Sequence, residues 1–193
     1  MRIVTAPEQY SGNPFSDITC FLAGGICGCM TWQKDVIEKL KTYIDLDNLV
    51  IFNPRRDNFL IDDPSAARQQ ITWEFEQLER CDIFSMFFCD GESDQPICMY
   101  ELGRNLLLKQ VCNNYSEVNT VVITCHNDYN RKQDVEIQVD LANKKNAAKI
   151  PEPVIYFGSD YDTLIDNHAR RIVVAYHMLI ANLESGRIHG EEI

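Results

Sequence analysis

The sequence has 193 residues, a formal net charge of −11 at pH 7 and a 45% share of hydrophobic residues. This length is enough for one globular domain with a single sizeable core, and no stretch approaches the ~18–20 consecutive apolar residues of a membrane span. The acidic balance argues against a nucleic-acid partner, because binding to phosphate backbones requires clustered lysine and arginine residues.

The N-terminal segment, MRIVTAPEQYSGNPFSD, has one basic residue and then turns polar, which is unlike a signal peptide. We interpret residues 1–17 as an N-terminal extension of a single domain that covers residues 1–193. The eight cysteines lie mostly within apolar segments, as reduced and buried thiols do. We therefore expect a cytoplasmic protein with no membrane partner.

Five short apolar runs are predicted as strands, with helices between them. The predicted strands cover residues 18–23, 49–52, 83–88, 120–124 and 154–157. The predicted helices cover residues 31–44, 97–111 and 168–183, and one more helix starts at Asp63 and Pro64, an N-cap acceptor followed by proline at the first helical position. The polar residues 127–146 are expected to form a surface excursion.

Apolar strands that alternate with helices are typical of a parallel sheet covered on both faces. The predicted fold class is therefore α/β, a single flavodoxin-like (Rossmann-like) doubly wound domain with a five-stranded parallel sheet. In such folds ligands bind beyond the carboxyl ends of the strands, at the topological switch point. The loops over residues 24–30, 53–62 and 88–96 each follow a predicted strand, so they are the predicted ligand-binding region.

The segment AGGICG, residues 23–28, is one glycine short of the dinucleotide-binding fingerprint. Gly24 and Gly25 either let a ligand approach the backbone or simply form a tight turn between strand and helix. The ribose-binding acid expected after the second strand is absent, and Asn53 stands there instead.

Arg55 and Arg56 follow the second predicted strand. Two arginines at the ligand edge of a sheet can bind a phosphate, or they can form surface ion pairs with Asp57 or Asp62. If they bind a 2′-phosphate, a phosphorylated dinucleotide becomes an alternative ligand.

The helix that begins at Pro64 has an apolar stripe at helical spacing, namely Ile71, Phe75 and Leu78. We expect this stripe to face the core. Glu74 then lies one position off the stripe, beside Trp73. An acid in that place is usually a solvated helix residue, so its role depends on what it faces.

The segment DGESDQPICMYELGR, residues 90–104, places Glu101 in an otherwise apolar helix. The loop before this helix has three more acids, Asp90, Glu92 and Asp94. If Glu101 points into the switch-point cleft, Asp94 can fold back beside it, and two such carboxyls divide into an ionised nucleophile and a protonated acid. That division is the apparatus of retaining glycosyl transfer. A structural acid is the other interpretation of Glu101.

Cys27 and Cys29 form a C-x-C pair, but no second pair follows at the spacing of a zinc site. The four histidines have no spacing that suggests a metal site or a catalytic triad. We expect no metal and no cofactor.

Five ordered segments together resemble the nucleoside 2-deoxyribosyltransferase family: FLAGGI (21–26), Trp32, IFNPRR (51–56), QQITWEFEQLERCD (69–82) and ICMYELGR (97–104). The resemblance covers residues 18–158. It implies a flavodoxin-like enzyme that transfers a 2-deoxyribosyl group between nucleobases through a covalent glycosyl-glutamate intermediate. The implied ligands are a deoxynucleoside and a free nucleobase, and the implied assembly is a homo-oligomer in which a neighbouring subunit completes the pocket.

The resemblance also assigns roles to three acids. Glu101, in the ELG motif with Gly103, is implied to be the nucleophile, and Glu74 is implied to orient the nucleophile or the sugar. Asp94 is the nearest match to the acid that protonates the base, although its spacing from the nucleophile is one residue off.

The predicted substrate contacts complete this set. They are Gly24, Gly25, Trp32, Asn53, Arg55, Arg56 and Gly103. Trp32, Phe21 or Tyr100 could stack on the base, or each could be a core residue. Glu136 or Gln138 is the implied contribution of a neighbouring subunit.

Two other functions remain as alternatives. The same glycosyl-enzyme can be resolved by water, which gives an N-glycosidase for deoxynucleosides or, if the arginines hold a phosphate, for deoxynucleoside 5′-monophosphates. The second alternative is a non-enzymatic nucleotide-binding domain that has the fold without the turnover.

Overall fold

The computed structural model describes residues 1–57, 59, 63–91, 93–111, 120–145 and 153–185. Within these residues the chain forms six strands and five helices. The strands are β1 (Arg2–Thr5), β2 (Ile18–Gly24), β3 (Leu49–Asn53), β4 (Ile83–Phe88), β5 (Val121–His126) and β6 (Ile155–Gly158). The helices are α1 (Trp32–Leu40), α2 (Pro64–Arg80), α3 (Pro96–Val111), α4 (Lys132–Lys145) and α5 (Tyr161–Glu184). In this described part, no helix combines the length and the apolar character needed to cross a membrane.

The strands form one parallel sheet in the order β1-β3-β2-β4-β5-β6. After β2 the chain moves outward to β3, and it then crosses back over β2 to form β4 on the other side. The carboxyl ends of β2 and β4 meet where Gly24 pairs with Phe87, so the switch point lies there. The flavodoxin-like α/β class predicted from the sequence is confirmed, although the sheet has six strands and not five.

The sixth strand comes from the segment interpreted as an N-terminal extension. Residues 2–5 pair with β3, and the Ala6 amide continues the ladder by donating to the Asn53 carbonyl at 3.0 Å. Only Val4 of β1 is buried and the other three residues are exposed or half-buried, as in an edge strand, and four residues are too few for a clear periodicity signal.

Three helices differ from the predictions, and the first, α1, ends at Leu40 instead of continuing to residue 44. The segment 127–146, expected as a surface excursion, contains α4, which buries only Val135 and Val139 against the sheet. Because the helix buries so few side chains, its sequence is mostly polar and shows no clear apolar stripe. The last helix begins at Tyr161, where Asp160 is the N-cap and accepts from the Thr163 amide at 2.9 Å.

Two apolar cores lie on opposite faces of the sheet. One contains α1 and α5 with the inward side chains Cys20 and Leu22 of β2. The other contains residues of α2, α3 and α4 with Phe21 and Ala23 of the same strand. The alternation along β2 follows from the two-residue period of a strand, which sends successive side chains to opposite faces.

The orientation of α2 differs from the predicted stripe. Ile71 is 65% exposed and Phe75 47% exposed, and of the three stripe residues only Leu78 is buried. Trp73 sets this rotation: it packs against Phe21 and Phe52, and its indole N–H donates to the Glu8 carbonyl at 2.7 Å. Burying an indole with its hydrogen bond satisfied outweighs burying the two smaller side chains.

His168 of α5 joins the helix to the centre of the sheet. Its Nε2 lies 2.6 Å from Ser85 Oγ of β4, and its Nδ1 lies 2.8 Å from Thr124 Oγ1 of β5. The ring is fully buried and packs edge-on against Trp32 and Phe87. Burial lowers the pKa of His168 to about 3, so the ring is neutral in the folded protein.

Candidate functional site

A cavity of about 760 Å³ opens at the carboxyl ends of β2 and β4. Its volume lies within the range of small-molecule ligand sites. Four segments form its wall: the turn after β2, residues 54–57 and Phe59 after β3, the first half of α2, and Ser93 with residues 95–98 and Glu101. The cavity therefore lies at the topological switch point, as predicted from the loops.

Gly24 and Gly25 form the part of the wall next to β2. A Cβ on Gly24 would lie too close to the Phe87 carbonyl oxygen and the Trp32 ring, and its φ of +148° favours glycine. A Cβ on Gly25 would overlap Cys29 Sγ and Gln95 Oε1. Close packing around both positions therefore requires glycine. Without side chains, the backbone itself forms the cavity wall there.

Trp32, a predicted substrate contact, does not line the cavity. It is fully buried, stacks on Phe87 with ring centroids 4.9 Å apart, and donates from its indole N–H to the Gly25 carbonyl at 2.9 Å. Trp32 thus lies beneath the turn and supports Gly25 from the core, away from the cavity surface. Phe21, the second aromatic candidate, does reach the cavity wall.

Glu101 lies on the inner face of α3 and is 8% exposed. Burial is the main cause that raises the pKa of its carboxyl to about 8, and the nearby charge of Glu74 adds to the effect. Arg104, one turn along the helix, opposes the rise. Arg104 is itself held by Glu79, at 3.0 Å, and by the Phe75 ring beneath its guanidinium.

Glu74 reaches the same cavity from α2. Burial raises the pKa of its carboxyl, and a hydrogen bond from Gln70 Nε2 to its Oε1, at 2.8 Å, acts in the opposite direction. Gln70 also donates to the Pro54 carbonyl at 2.7 Å, so the amide is fixed. The rotation of α2 that exposes Phe75 is what turns Glu74 inward.

Both glutamates line one cavity, with Glu101 buried and Glu74 half-buried. The nearby charge of Glu74 adds to the burial that raises the pKa of Glu101, so Glu101 keeps its proton near neutral pH. Gln70 donates to Glu74 and thereby favours its ionised form, which leaves the proton on Glu101 in the free pocket. Removing that proton gives a carboxylate in a partly desolvated site, where it is a stronger nucleophile and a stronger electrostatic partner.

Asp94 is not brought beside Glu101. Its side chain is exposed and lies outside the cavity wall, while its carbonyl oxygen accepts from the Tyr129 hydroxyl at 2.8 Å. That hydrogen bond anchors the loop with the Asp94 carboxyl turned out. Glu92, of the same loop, lies outside the described residues.

Gln95 takes the place expected for Asp94. It is buried in the cavity wall with a positive φ of 46°, and its Nε2 donates to the Cys89 carbonyl at 2.9 Å. Its Oε1 is a buried acceptor without a hydrogen-bond partner in the described part of the chain. An unpaired buried oxygen of this kind costs about 1–3 kcal/mol, and a ligand with a donor group would relieve that cost.

The two arginines have different surroundings. Arg55 donates to the carbonyls of Met30, at 2.8 Å, and Cys29, at 3.2 Å, so its guanidinium fixes the turn before α1. Arg56 lies at the cavity with its guanidinium near the Gln69 and Gln70 amides. Neither arginine forms an ion pair within the described residues, and Asp62 lies outside them.

Gly103 and Asn53 also lie outside the cavity wall. Gly103 is two residues from Glu101 in a helix and so falls on the exposed face of α3. The Asn53 side chain accepts from the Arg55 amide at 3.1 Å and shapes the turn after β3. The structure therefore does not bring these two predicted contacts to the cavity wall.

Three more candidates of the sequence are surface residues. Tyr100 is 64% exposed on α3, and Glu136 and Gln138 are exposed on α4. None of the three is in the cavity wall.

Four residues of the site were missed by the sequence reasoning. They are Gln70, Gln95, Cys98 and Arg104. Gln70 could have been found from its position one turn before Glu74, and Arg104 from its position one turn after Glu101. Nothing in the sequence distinguishes the buried Gln95 from the exposed Asp94 beside it.

The two carboxyls thus lie at the switch point of a flavodoxin-like sheet, where α/β folds bind small-molecule ligands. The model of the family described as "Nucleoside 2-deoxyribosyltransferase like" matches residues 17–129, which is more than half of the chain. The chain belongs to this family. No curated protein matches it. Membership supports a nucleoside deoxyribosyltransferase-like enzyme with nucleosides and nucleobases as its ligands.

Proposed function

We propose that the protein transfers a 2-deoxyribosyl group between nucleobases by double displacement, with Glu101 as the nucleophile. The observation that carries the proposal is the buried Glu101 beside the half-buried Glu74 in the switch-point cavity. Retaining glycosyl transfer needs one carboxylate close to the anomeric carbon and a site dry enough to strengthen its interaction with an oxocarbenium-like transition state.

The first displacement requires an ionised Glu101. Its carboxylate attacks the anomeric carbon of the sugar, the N-glycosidic bond breaks, and the bonding electrons leave with the base. Water at the cavity mouth supplies the proton that the departing base takes up. Asp94 acts only through such a water, because its carboxyl is exposed and outside the wall.

The second displacement restores the configuration. A different base attacks the anomeric carbon of the glycosyl-Glu101 ester, and the glutamate leaves as a carboxylate. Glu74, fixed by Gln70, orients Glu101 or the sugar through both steps. We assign the first contact with the base to Gln95, whose unpaired Oε1 can accept from an amino or ring N–H group.

Exposed apolar side chains lie on α2 and α3, and we propose that a second copy of the chain covers them. Among the described side chains they are Ile71 and Ile97, which line the cavity, and Phe75, Tyr100 and Leu107. Exposed apolar side chains on adjacent helices are typical of an interface. Glu136 or Gln138 of the other copy then completes the pocket, and the protein acts in cytoplasmic nucleoside salvage.

An N-glycosidase for deoxynucleosides or their 5′-monophosphates is the second candidate. Arg56 favours the monophosphate, because its guanidinium lies at the cavity and pairs with neutral amides instead of a carboxylate. A 5′-phosphate could therefore bind it without displacing an ion pair. In this case water, and not a base, resolves the glycosyl-enzyme.

Base exchange followed by chromatography tests the proposal. The purified protein is mixed with a 2′-deoxynucleoside, with and without a different free base. A new deoxynucleoside that appears only with the acceptor supports the transferase. Free base released at the same rate without acceptor supports the N-glycosidase. If a 5′-phosphate on the substrate raises the rate of base release, and Arg56→Gln abolishes that increase, the monophosphate is the substrate. No turnover in any arm, with ligand binding retained, leaves a nucleotide-binding domain.

A further inference from the structure

Gln95 presents a hydrogen-bond acceptor to the cavity, and not an acid. Its Nε2 donates to the Cys89 carbonyl at 2.9 Å, which fixes the orientation of the amide. Its Oε1 lies beside Gly25, where an added Cβ would come within 2.7 Å of it, and within the described residues this oxygen has no hydrogen-bond partner. Because the side chain is buried in the wall, a ligand that donates an N–H group would satisfy this oxygen.

The position of Gln95 along α3 suits contact with the base of a bound nucleoside. The helix begins at Pro96, so Gln95 precedes Glu101 by about one and a half turns, on the order of 8 Å along the helix axis. Both side chains belong to the cavity wall. A base joined to a sugar at Glu101 spans a distance of this size. This placement rests on the glycosyl transfer proposed above.

An ordinary nucleobase is a poor leaving group at such a site. When its bond to the sugar breaks, the base carries a negative charge unless it receives a proton, and glycosidases normally supply that proton from a carboxylic acid. In the described wall, the place beside the base has the Gln95 amide oxygen. The carboxyls of the described wall are Glu101, the proposed nucleophile, Glu74, which accepts from Gln70, and Asp57, which is exposed after β3.

We propose that the preferred donor is a 2′-deoxynucleoside whose base is positively charged, such as an N7-alkylated purine. The Glu101 carboxylate attacks the anomeric carbon, the bond from that carbon to the base nitrogen breaks, and the electron pair of this bond neutralises the charge of the base. The base leaves as a neutral molecule, so no proton has to be supplied. An N7-alkylated guanine keeps a ring N–H and an amino group that can donate to Gln95 Oε1.

The charges of the protein favour a cationic donor. The net charge of −11 attracts cations. The guanidinium groups of Arg55 and Arg56, which the described wall contains, are hydrogen-bonded to carbonyl or amide oxygens. A positive charge on the donor also stabilises the Glu101 carboxylate, and it thereby opposes the burial that raises the pKa of this group. Binding of the donor therefore helps to form the nucleophile.

Two donors that differ by one methyl group and its charge test this inference: 7-methyl-2′-deoxyguanosine and 2′-deoxyguanosine. Base release is followed by chromatography in one neutral buffer, with and without adenine as the acceptor, and the uncatalysed rate of each donor is measured in the same buffer. We expect the ratio of kcat/KM, charged donor over neutral donor, to be at least as large as the ratio of the uncatalysed rates. A smaller ratio would overturn the inference, because a general acid in the protein speeds only the neutral base, usually by about a hundredfold or more.

Two variants assign the reaction to the cavity. Glu101→Gln should reduce release of both bases to the uncatalysed rates, whereas Glu76→Gln, a change outside the cavity wall, should retain both catalysed rates. Gln95→Met keeps the length of the side chain but removes the acceptor, so kcat/KM should fall by a similar factor for both donors. A loss confined to 2′-deoxyguanosine would make Gln95 the source of the proton, which contradicts the inference.

The same assays separate this inference from the proposed function. If 2′-deoxyguanosine exchanges its base with adenine and the ratio lies below that of the uncatalysed rates, the glycosyl transfer stands and only the charged donor is rejected. If neither donor reacts faster than its uncatalysed rate, both are rejected.

Discussion

Glu101 carries a conflict between its burial and its proposed role. A nucleophile must be ionised, yet burial and the charge of Glu74 raise the pKa of Glu101 to about 8. A carboxylate that is costly to form in the free pocket is also one that gains most from an adjacent positive centre. The sugar carbon of an oxocarbenium-like transition state is such a centre, so the same surroundings that resist ionisation favour the transition state.

The pH dependence of turnover should report this conflict. Because the proposed nucleophile is the ionised form of Glu101, kcat/KM of the unmodified protein should rise with pH through about 8 and level off above it. Glu74→Gln removes one cause of the raised pKa, so the midpoint should move to lower pH, while burial keeps it above the ordinary value of a glutamate. Initial rates across the pH range measure both profiles. An unchanged midpoint in Glu74→Gln would show that the two carboxyls do not interact.

Removal of the nucleophile should abolish turnover. Glu101→Gln keeps the shape of the side chain but removes the attacking oxygen anion, so we expect kcat to fall by roughly a thousandfold or more. Glu76→Gln is the matched control, because Glu76 is on α2 two residues from Glu74 and outside the cavity wall. Its kcat should stay within about twofold of the unmodified value. Comparable losses in the two variants would contradict the assignment.

At the scale of elements, the rotation of α2 decides which residues form the site. The helix turns Trp73 toward the sheet, and this places Glu74 and Gln70 at the cavity and leaves Phe75 under Arg104. The buried face includes Gln70 and Gln77, two polar residues that a search for apolar periodicity passes over. One aromatic anchor thus positions Glu74, to which we assign an orienting role, one residue away.

Stability measurements on α2 should separate the two aromatic side chains. Trp73→Ala empties a buried site and leaves the Glu8 carbonyl without its donor, so we expect a loss of about 3–5 kcal/mol in the free energy of unfolding. Phe75→Ala loses mainly an exposed contact with Arg104, which is worth about 1 kcal/mol or less. Urea titration measures both values. A larger loss for Phe75→Ala would contradict the observed orientation of the helix.

A strand or helix can be predicted from the sequence to the extent that its burial requires a pattern of apolar residues. The central strands were predicted because β2 to β5 are covered on both faces and read as unbroken apolar runs. The edge strand β1 and the half-exposed α4 give no such signal. The presence of Glu101 and Glu74 in the cavity could be predicted from a resemblance in motif. Whether Asp94 or Gln95 reaches the cavity depends on the loop conformation, which the identity of two adjacent polar residues does not determine.

At the scale of the whole molecule, His168 and Glu101 make stability depend on pH in opposite directions. His168 is neutral when folded, with a pKa of about 3, and the unfolded side chain takes up a proton near pH 6.5. The contribution of His168 to the free energy of unfolding is therefore fully present above pH 6.5, and it is lost as the pH falls from 6.5 toward 3. Glu101 keeps its proton in the folded state up to pH 8, so its contribution is fully present below the ordinary glutamate pKa and is lost as pH rises.

A comparison of variants isolates the histidine. Below pH 6.5 the unmodified protein should lose about 1.4 kcal/mol per pH unit relative to His168→Gln, which has no group to titrate at that position. His177→Gln, a change at an exposed histidine of the same helix, should keep the behaviour of the unmodified protein. Denaturant titrations at several pH values give the difference. Parallel stability curves for the unmodified protein and His168→Gln would contradict a buried neutral ring.

The covalent intermediate is the central claim, and it can be tested by the mass of acid-quenched protein after brief mixing with a 2′-deoxynucleoside and no acceptor base. The account predicts one deoxyribosyl group per chain, located on Glu101 in the tryptic peptide of residues 81–104, and its loss on addition of a free base as the new deoxynucleoside forms. Base exchange that proceeds without a sugar on Glu101, or with the sugar on another residue, would contradict it.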